Sequence, residues 1–283
     1  MSKIPLPERE DYERLLDQEA SQFPRATREA VARLLDSSLP EQVQWVAKEN
    51  RAFPEDLMAL GEDTPQVLVY EGELSPLNRQ VRLVIAGSRH APEERVAMTR
   101  ELAKTLALHG IGLISGLVSN IDDATHEGAM AARADGGSGS TAIVSLPFGA
   151  PWPRGRHEFA NRVAEDGGLI ISLAPQVRGL SMNENERLDA LNYRQRFISA
   201  IGTAALVMYT TSNGNTEKII REMIALERPV LLWHEVVNEQ PTFCEDLIAK
   251  AHVDRTGRAL VQVVHGVDEI EEAISAWRSV WWL

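Results

Sequence analysis

The chain has 283 residues, 44% of them apolar and 25% charged, a formal net charge of −12 and a single cysteine, Cys244. That composition excludes an intramolecular disulfide and a thiolate metal cluster, and no run approaches the ~18 apolar residues that cross a bilayer. Proteins that coat nucleic acid usually carry a basic balance, so any such surface here has to be a local basic patch on an acidic body.

Residues 1–62 read as a small helical domain. Leu15, Leu16, Ala20 and Phe23, then Ala30, Val31, Leu34 and Leu35, recur at helical spacing, and Pro24, Pro40 and Pro54 divide the segment into short helices. The opening M-S-K-I-P-L-P-E-R-E-D lacks the apolar core of a signal peptide, and with the lone cysteine this gives the expectation of a cytoplasmic protein.

Residues 63–283 alternate strand and helix. The expected strands are Gln66–Tyr70, Val81–Ala86, Ile111–Ile114, Thr141–Leu146, Leu169–Leu173, Ala204–Tyr209, Val230–Trp233 and Ala259–Val264. The expected helices are Pro92–His109, Ile121–Arg133, His157–Glu165, Glu186–Ile201, Asn215–Leu226, Thr242–Ala251 and Val267–Trp277. Regular alternation of this kind predicts an α/β fold, a doubly wound and mainly parallel Rossmann-like sheet covered on both faces.

In such a sheet ligands bind beyond the carboxyl ends of the strands. Three turns of small and polar residues fall at such ends: Gly87-Ser88-Arg89, Ser115-Gly116, and the stretch from Thr210 through Asn213, Gly214 and Thr216. Together they offer backbone donors and helix N-termini to an anion, with Arg89 as a charged clamp. Asp122 and His126 lie four apart on the helix after Ser115-Gly116, either as an acid–base pair or as braces for the helix start. Ser88 and Ser115 are candidate nucleophiles by type, but neither sits in a G-x-S-x-G elbow, so no catalytic residue is assigned. Tyr193, Arg194 and Arg196 suit phosphate contact with base stacking, although in a regular helix the two arginines do not share a face. No G-x-G-x-x-G or G-x-x-x-x-G-K-[ST] motif occurs and the remaining histidines have no ligand spacing, so neither a cofactor nor a metal is expected.

In combination these motifs resemble the DprA/Smf family of DNA-processing proteins, within the wider SLOG group of Rossmann-like domains. The resemblance runs from Phe53-Pro54 and Leu57 to Val264. The family's V-G-S-R turn is similar to Ala86-Gly87-Ser88-Arg89, and its S-G-L-A-R-G-I-D-x-x-A-H motif to Ser115 through His126, with Ser119 and Asn120 in place of Arg-Gly. Its G-x-x-x-x-Y-P loop is similar to Gly149 through Pro153, its F-P-R-R-N-R-I-I to Leu191 through Ile198, its S-G-x-x-T-A to Asn213 through Thr216, and its G-R-P-V to Glu227 through Val230. The resemblance implies binding of single-stranded DNA, loading of a RecA-type recombinase, a homodimer and no catalysis. The alternative is a nucleotide-binding protein of the SLOG type, in which an enzymatic variant would use Glu217. A continuous basic groove would favour DNA, and a closed pocket a nucleotide.

Overall fold

The computed structural model describes residues 39–118, 120–148, 151–173, 184–211, 214–250 and 252–281, with Arg25, Glu29, Ala30 and Ala32 from the preceding segment. The strands among them are β1 (Val43–Ala47), β2 (Val67–Gly72), β3 (Arg82–Gly87), β4 (Gly112–Ser115), β5 (Ser140–Val144), β6 (Leu169–Ser172), β7 (Ala204–Tyr209), β8 (Val230–Trp233) and β9 (Val261–Val264). The helices are α1 (Glu93–Leu108), α2 (Ile121–Ala132), α3 (Arg156–Glu165), α4 (Glu184–Ile201), α5 (Asn215–Ala225), α6 (His234–Glu239), α7 (Pro241–Ala249) and α8 (Val267–Trp281).

The strands form one sheet in the order β1-β2-β6-β5-β4-β3-β7-β8-β9. From β6 to β9 every pairing is parallel, while β1–β2 and β2–β6 are antiparallel. The central strand β3 is buried over Arg82–Ala86, the continuous apolar pattern of a parallel strand covered on both faces. From β3 the chain winds outward through β4, β5 and β6, then crosses back to β7 on the other side of β3. The strand order therefore reverses between β3 and β7, and the loops leaving their carboxyl ends diverge to open a crevice.

Residues 43–62 depart from the helical expectation. Val43–Ala47 is a strand paired on β2, followed by a 3-10 segment at Glu55–Asp63. The V-Q-W-V-A sequence is made of β-formers, and both its faces are covered: Val43, Trp45 and Ala47 pack with Val69 and Phe159, while Val46 joins Leu57, Leu68 and Tyr70. Pro40 and Pro54 flank this strand rather than dividing helices. Of the earlier segment, Arg25, Glu29, Ala30 and Ala32 are helical, and the other apolar positions named above for residues 15–35 lie outside the described residues. The later elements fall where the periodicity placed them, with ends displaced by one or two residues, except that α8 runs four residues further, to Trp281, and α6 is added before α7.

At the amino ends of the strands the fold is locked by two buried arginines. Helix α5 ends in a left-handed turn at Glu227 (φ 55°), where the Arg228 N–H returns to the Met223 carbonyl. This delivers Arg228 to the end of α4, where its Nη1 donates to the carbonyls of Ser199 (2.7 Å), Ala200 (2.6 Å) and Gly202. Arg82 donates to the Ile201 carbonyl (2.8 Å), the Arg79 carbonyl (2.8 Å) and Asp56 (2.5 Å). Carbonyls that a helix end leaves unpaired are thus taken up by two cations. Burial pulls both guanidinium pKa values down, that of Arg228 to about 10, and Asp56 partly restores them.

Candidate functional site

At the carboxyl ends of β3, β4 and β7 lies a cavity of about 470 Å³. Gly87, Ser88, Arg89, Ser115, Gly116, Asp122, Arg194, Gly214 and Thr216 all line it, so the three turns and one arginine of the tyrosine–arginine stretch do converge. Asn213 lies outside the described residues. A second hollow, about 450 Å³, sits at the opposite ends of β3 and β7 beside Asp56 and Arg82, but there the arginine's donors are already engaged.

The floor of the crevice is a polar network built on the β4–α2 turn. The Ser115 hydroxyl lies within hydrogen-bond distance of the Ile85 carbonyl (2.8 Å) and Asp122 Oδ1 (2.9 Å), and its single proton is shared between them. Asp122 Oδ2 accepts the Val118 N–H (3.0 Å). The carboxylate thus sits at the N-terminus of α2 and supplies the negative charge that the helix dipole favours. Any phosphate near that helix start would lie beside this carboxylate, which Ser115 and the Val118 N–H hold in place.

His126 is also corrected as a ligand-binding residue. It is fully buried beneath the cavity, its Nε2–H donates to the Gly116 carbonyl (2.7 Å), and Nδ1 accepts from the Ser140 hydroxyl (2.8 Å). Burial holds its pKa below the ordinary histidine value, with the Gly116 carbonyl partly opposing. A neutral ring bonded on both nitrogens braces the turn and is not paired with Asp122. Of the two sequence alternatives for this pair, the structural one holds.

Arg194 reaches the crevice from α4. Its Nε donates to the Ile143 carbonyl (2.8 Å), and Nη2 lies 3.8 Å from Asp122. Burial lowers its pKa and Asp122 raises it in part. The guanidinium lies directly over Gly116, where any Cβ would overlap it and the Asp122 carboxylate. Gly87 is constrained in the same way, because α2 packs Ile121 against it. These two glycines admit close approach of neighbours, a reason that differs from the backbone-donor role the sequence suggested.

On α4, Leu191, Arg194, Gln195 and Ile198 form the face that lines the cavity. Tyr193 and Arg196 stand on another face, and both reach residue 63. The Tyr193 hydroxyl donates to the Asp63 carbonyl (2.9 Å), with its pKa pushed up to about 12 by burial, and Arg196 pairs with the Asp63 carboxylate (2.5 Å). Helical phase separates them from Arg194, so the expectation of one phosphate-binding cluster is corrected for Tyr193 and Arg196. Gln195 does not stand out in the sequence; its i+1 position from Arg194 and i+4 from Leu191 is the signal that identifies it.

The rim carries the accessible charge. The Arg89 side chain is exposed and has no ion-pair partner among the described residues, and His90 stands beside it. The Arg89 carbonyl accepts a bond from Asn120 Nδ2 (2.5 Å), which ties the β3 and β4 loops together. Asn120 holds a positive φ of 54°, a backbone strained for any residue but glycine, at the position where the DprA/Smf motif has glycine. Across the crevice, Gly214 introduces α5 in extended conformation with no side-chain cap among the described residues, and Gly214, Asn215 and Thr216 at this helix start line the opening. Glu217, the alternative catalytic group, is paired with Arg221 (2.5 Å) and is not among the cavity-lining residues.

The fold and site define a Rossmann-like protein with an open, polar-lined crevice at its topological switch point. Residues 44–263 match the profile of the DNA recombination-mediator protein A family, and the chain belongs to that family. It is 28% identical over 164 residues to protein Smf of Escherichia coli, covering 58% of this chain and 40% of that one. With protein Smf of Borreliella burgdorferi it shares 24% over 208 residues, 72% of this chain and 59% of the relative. The chain therefore spans only about half the length of these relatives. The structure of DNA processing protein A from Streptococcus pneumoniae is similar at a TM-score of 0.64 and 17% identity, covering 93% of this chain and 80% of that one. The Helicobacter pylori protein, whose structure concerns its mode of binding single-stranded DNA, matches at 0.63 and 17%, covering 83% and 96%. Among the described residues no helix is long and apolar enough to cross a membrane.

Proposed function

We propose that this chain is a recombination mediator that binds single-stranded DNA in the crevice between β3 and β7, for handover to a RecA-type recombinase. The observation that carries this reading is the convergence of Arg89, Arg194 and the uncapped start of α5 on one open cavity. Backbone phosphate would meet the N–H groups of α5 and the Arg89 guanidinium, with Arg194 fixed behind them. Action as a homodimer is part of the same proposal. Because the net charge is −12, attraction has to be local, and Arg89 is the group that supplies it at the rim.

One observation favours a second reading. Arg196 is diverted to Asp63 and so adds no free charge beside Arg194, and a cavity of about 470 Å³ is of a size that suits a single free nucleotide. Fluorescence anisotropy with labelled oligo-dT across a salt series separates the two. Binding that weakens with salt is expected, and Arg89→Ala should lower affinity about tenfold and reduce the salt slope by about 0.7, as loss of one single-strand phosphate contact requires. No binding at low salt, together with a thermal shift by mononucleotides, would replace the first reading by the second.

A further inference from the structure

Gln195 combines three properties that neither phosphate binding nor packing uses. It is 4% exposed, it lines the crevice, and its Oε1 has no hydrogen-bond partner among the described residues. Most buried carboxamides find a partner, and one left unmatched is costly to keep. An apolar residue of similar volume would fill the same place on α4 between Leu191 and Ile198 without that cost. The neighbours on the same wall are Arg194, already bonded to the Ile143 carbonyl, and Thr216 at the start of α5.

A phosphate does not meet this need. Its oxygens only accept, whereas Oε1 requires a donor. What does meet it is a planar group presenting a donor beside an acceptor, which the carboxamide can bind through both its oxygen and its nitrogen. A nucleobase edge is such a group, and every base has one. We infer that Gln195 receives a nucleobase edge in the crevice, so that the ligand enters base-first at this wall while its phosphates remain at Arg89 and α5. The inference rests on the nucleic-acid reading of the crevice and deepens it: Gln195 reads that a base is present, with little discrimination among the four.

The test compares two single strands of equal length and charge, oligo-dT and an oligomer of abasic deoxyribose phosphates. Wild-type protein binds the thymidine strand about tenfold more tightly, the worth of one bidentate contact. Gln195→Met, close in volume but without the amide, brings the two affinities together by weakening oligo-dT alone, with the abasic affinity unchanged. Should that variant lose its cooperative melting transition, Gln195→Asn keeps the amide but withdraws it by one methylene, with the same expected result. A wild-type protein that binds both strands equally, or a variant that keeps the wild-type ratio, overturns the role of Gln195 and leaves DNA binding intact. Failure of wild type to bind either strand overturns both.

Discussion

At the amino ends of β3 and β7, Arg82 and Arg228 direct their donors to the carbonyls that close α4 and to Asp56. At the carboxyl ends of the same strands, Arg194 donates to one carbonyl and stands 3.8 Å from a carboxylate, while Gln195 beside it has an unmatched oxygen. All these groups are buried, and all lie on or against one helix. The difference separates a structural cation from one proposed for binding: the first kind is satisfied by its own fold, the second is held in place with capacity to spare. Depth of burial does not separate them, since Arg82 and Arg194 are 9% and 7% exposed.

Removing a group from the satisfied end should give the largest effect on stability. Arg228→Met leaves several α4 carbonyls and part of Asp56 unmatched, and should lower the unfolding free energy by about 3 kcal/mol in urea titration, with oligo-dT affinity unchanged while folded. If it instead melts like wild type, the contrast between the two ends has no energetic basis. At the other end, Gly116→Ala should reverse that pattern. The added methyl displaces the Arg194 guanidinium, so oligo-dT affinity is expected to fall by about two orders of magnitude, more than for Arg89→Ala. Wild-type affinity in that variant would remove Arg194 from the site.

Acid should act on the crevice floor. Burial keeps the folded pKa of His126 below its unfolded value of about 6.5, so the unfolded chain takes up a proton first as pH falls. The contribution of His126 to stability is therefore complete above pH ~6.5 and is lost progressively below it. Urea midpoints measured from pH 7.5 downward should decline, and His126→Asn should flatten that decline. The smallest effect belongs to Arg196→Ala, whose half-exposed pair with Asp63 is worth no more than about 0.5 kcal/mol. Its oligo-dT affinity should equal that of wild type, and a marked loss would restore Arg196 to the binding surface.

The position of the crevice was legible in the sequence because it depends on local signals. Apolar runs that stop at Gly87, Ser115 and Thr210 mark strand ends, each with a helix following, and a parallel sheet puts those on one rim. Side-chain direction was less legible. Tyr193, Arg194 and Arg196 are near neighbours in the chain, and only the phase of α4 sends one into the cavity and the other two to Asp63. His126 and Asp122 share a side of α2 but have different partners, since the Gly116 carbonyl and Ser140 come from other elements. The strand at Val43–Ala47 was hidden by flanking prolines that fit helix boundaries equally well. Gly116 is the extreme case: nothing local distinguishes a glycine that offers its N–H from one that makes room for an arginine 78 positions later in the chain.

That last contact constrains how the family can change through time. Residue 116 can acquire a side chain without disturbing the crevice only after residue 194 has given up its guanidinium and Asp122 has drawn back, whereas Arg194 can be lost without prior change at 116. The order of substitutions is thus one-way, and the glycine is expected to outlive the arginine in descendants that abandon the site. A lineage that keeps Gly116 after losing Arg194 is a viable intermediate; one that takes the Gly116→Ala change first has to move Arg194 from its present place.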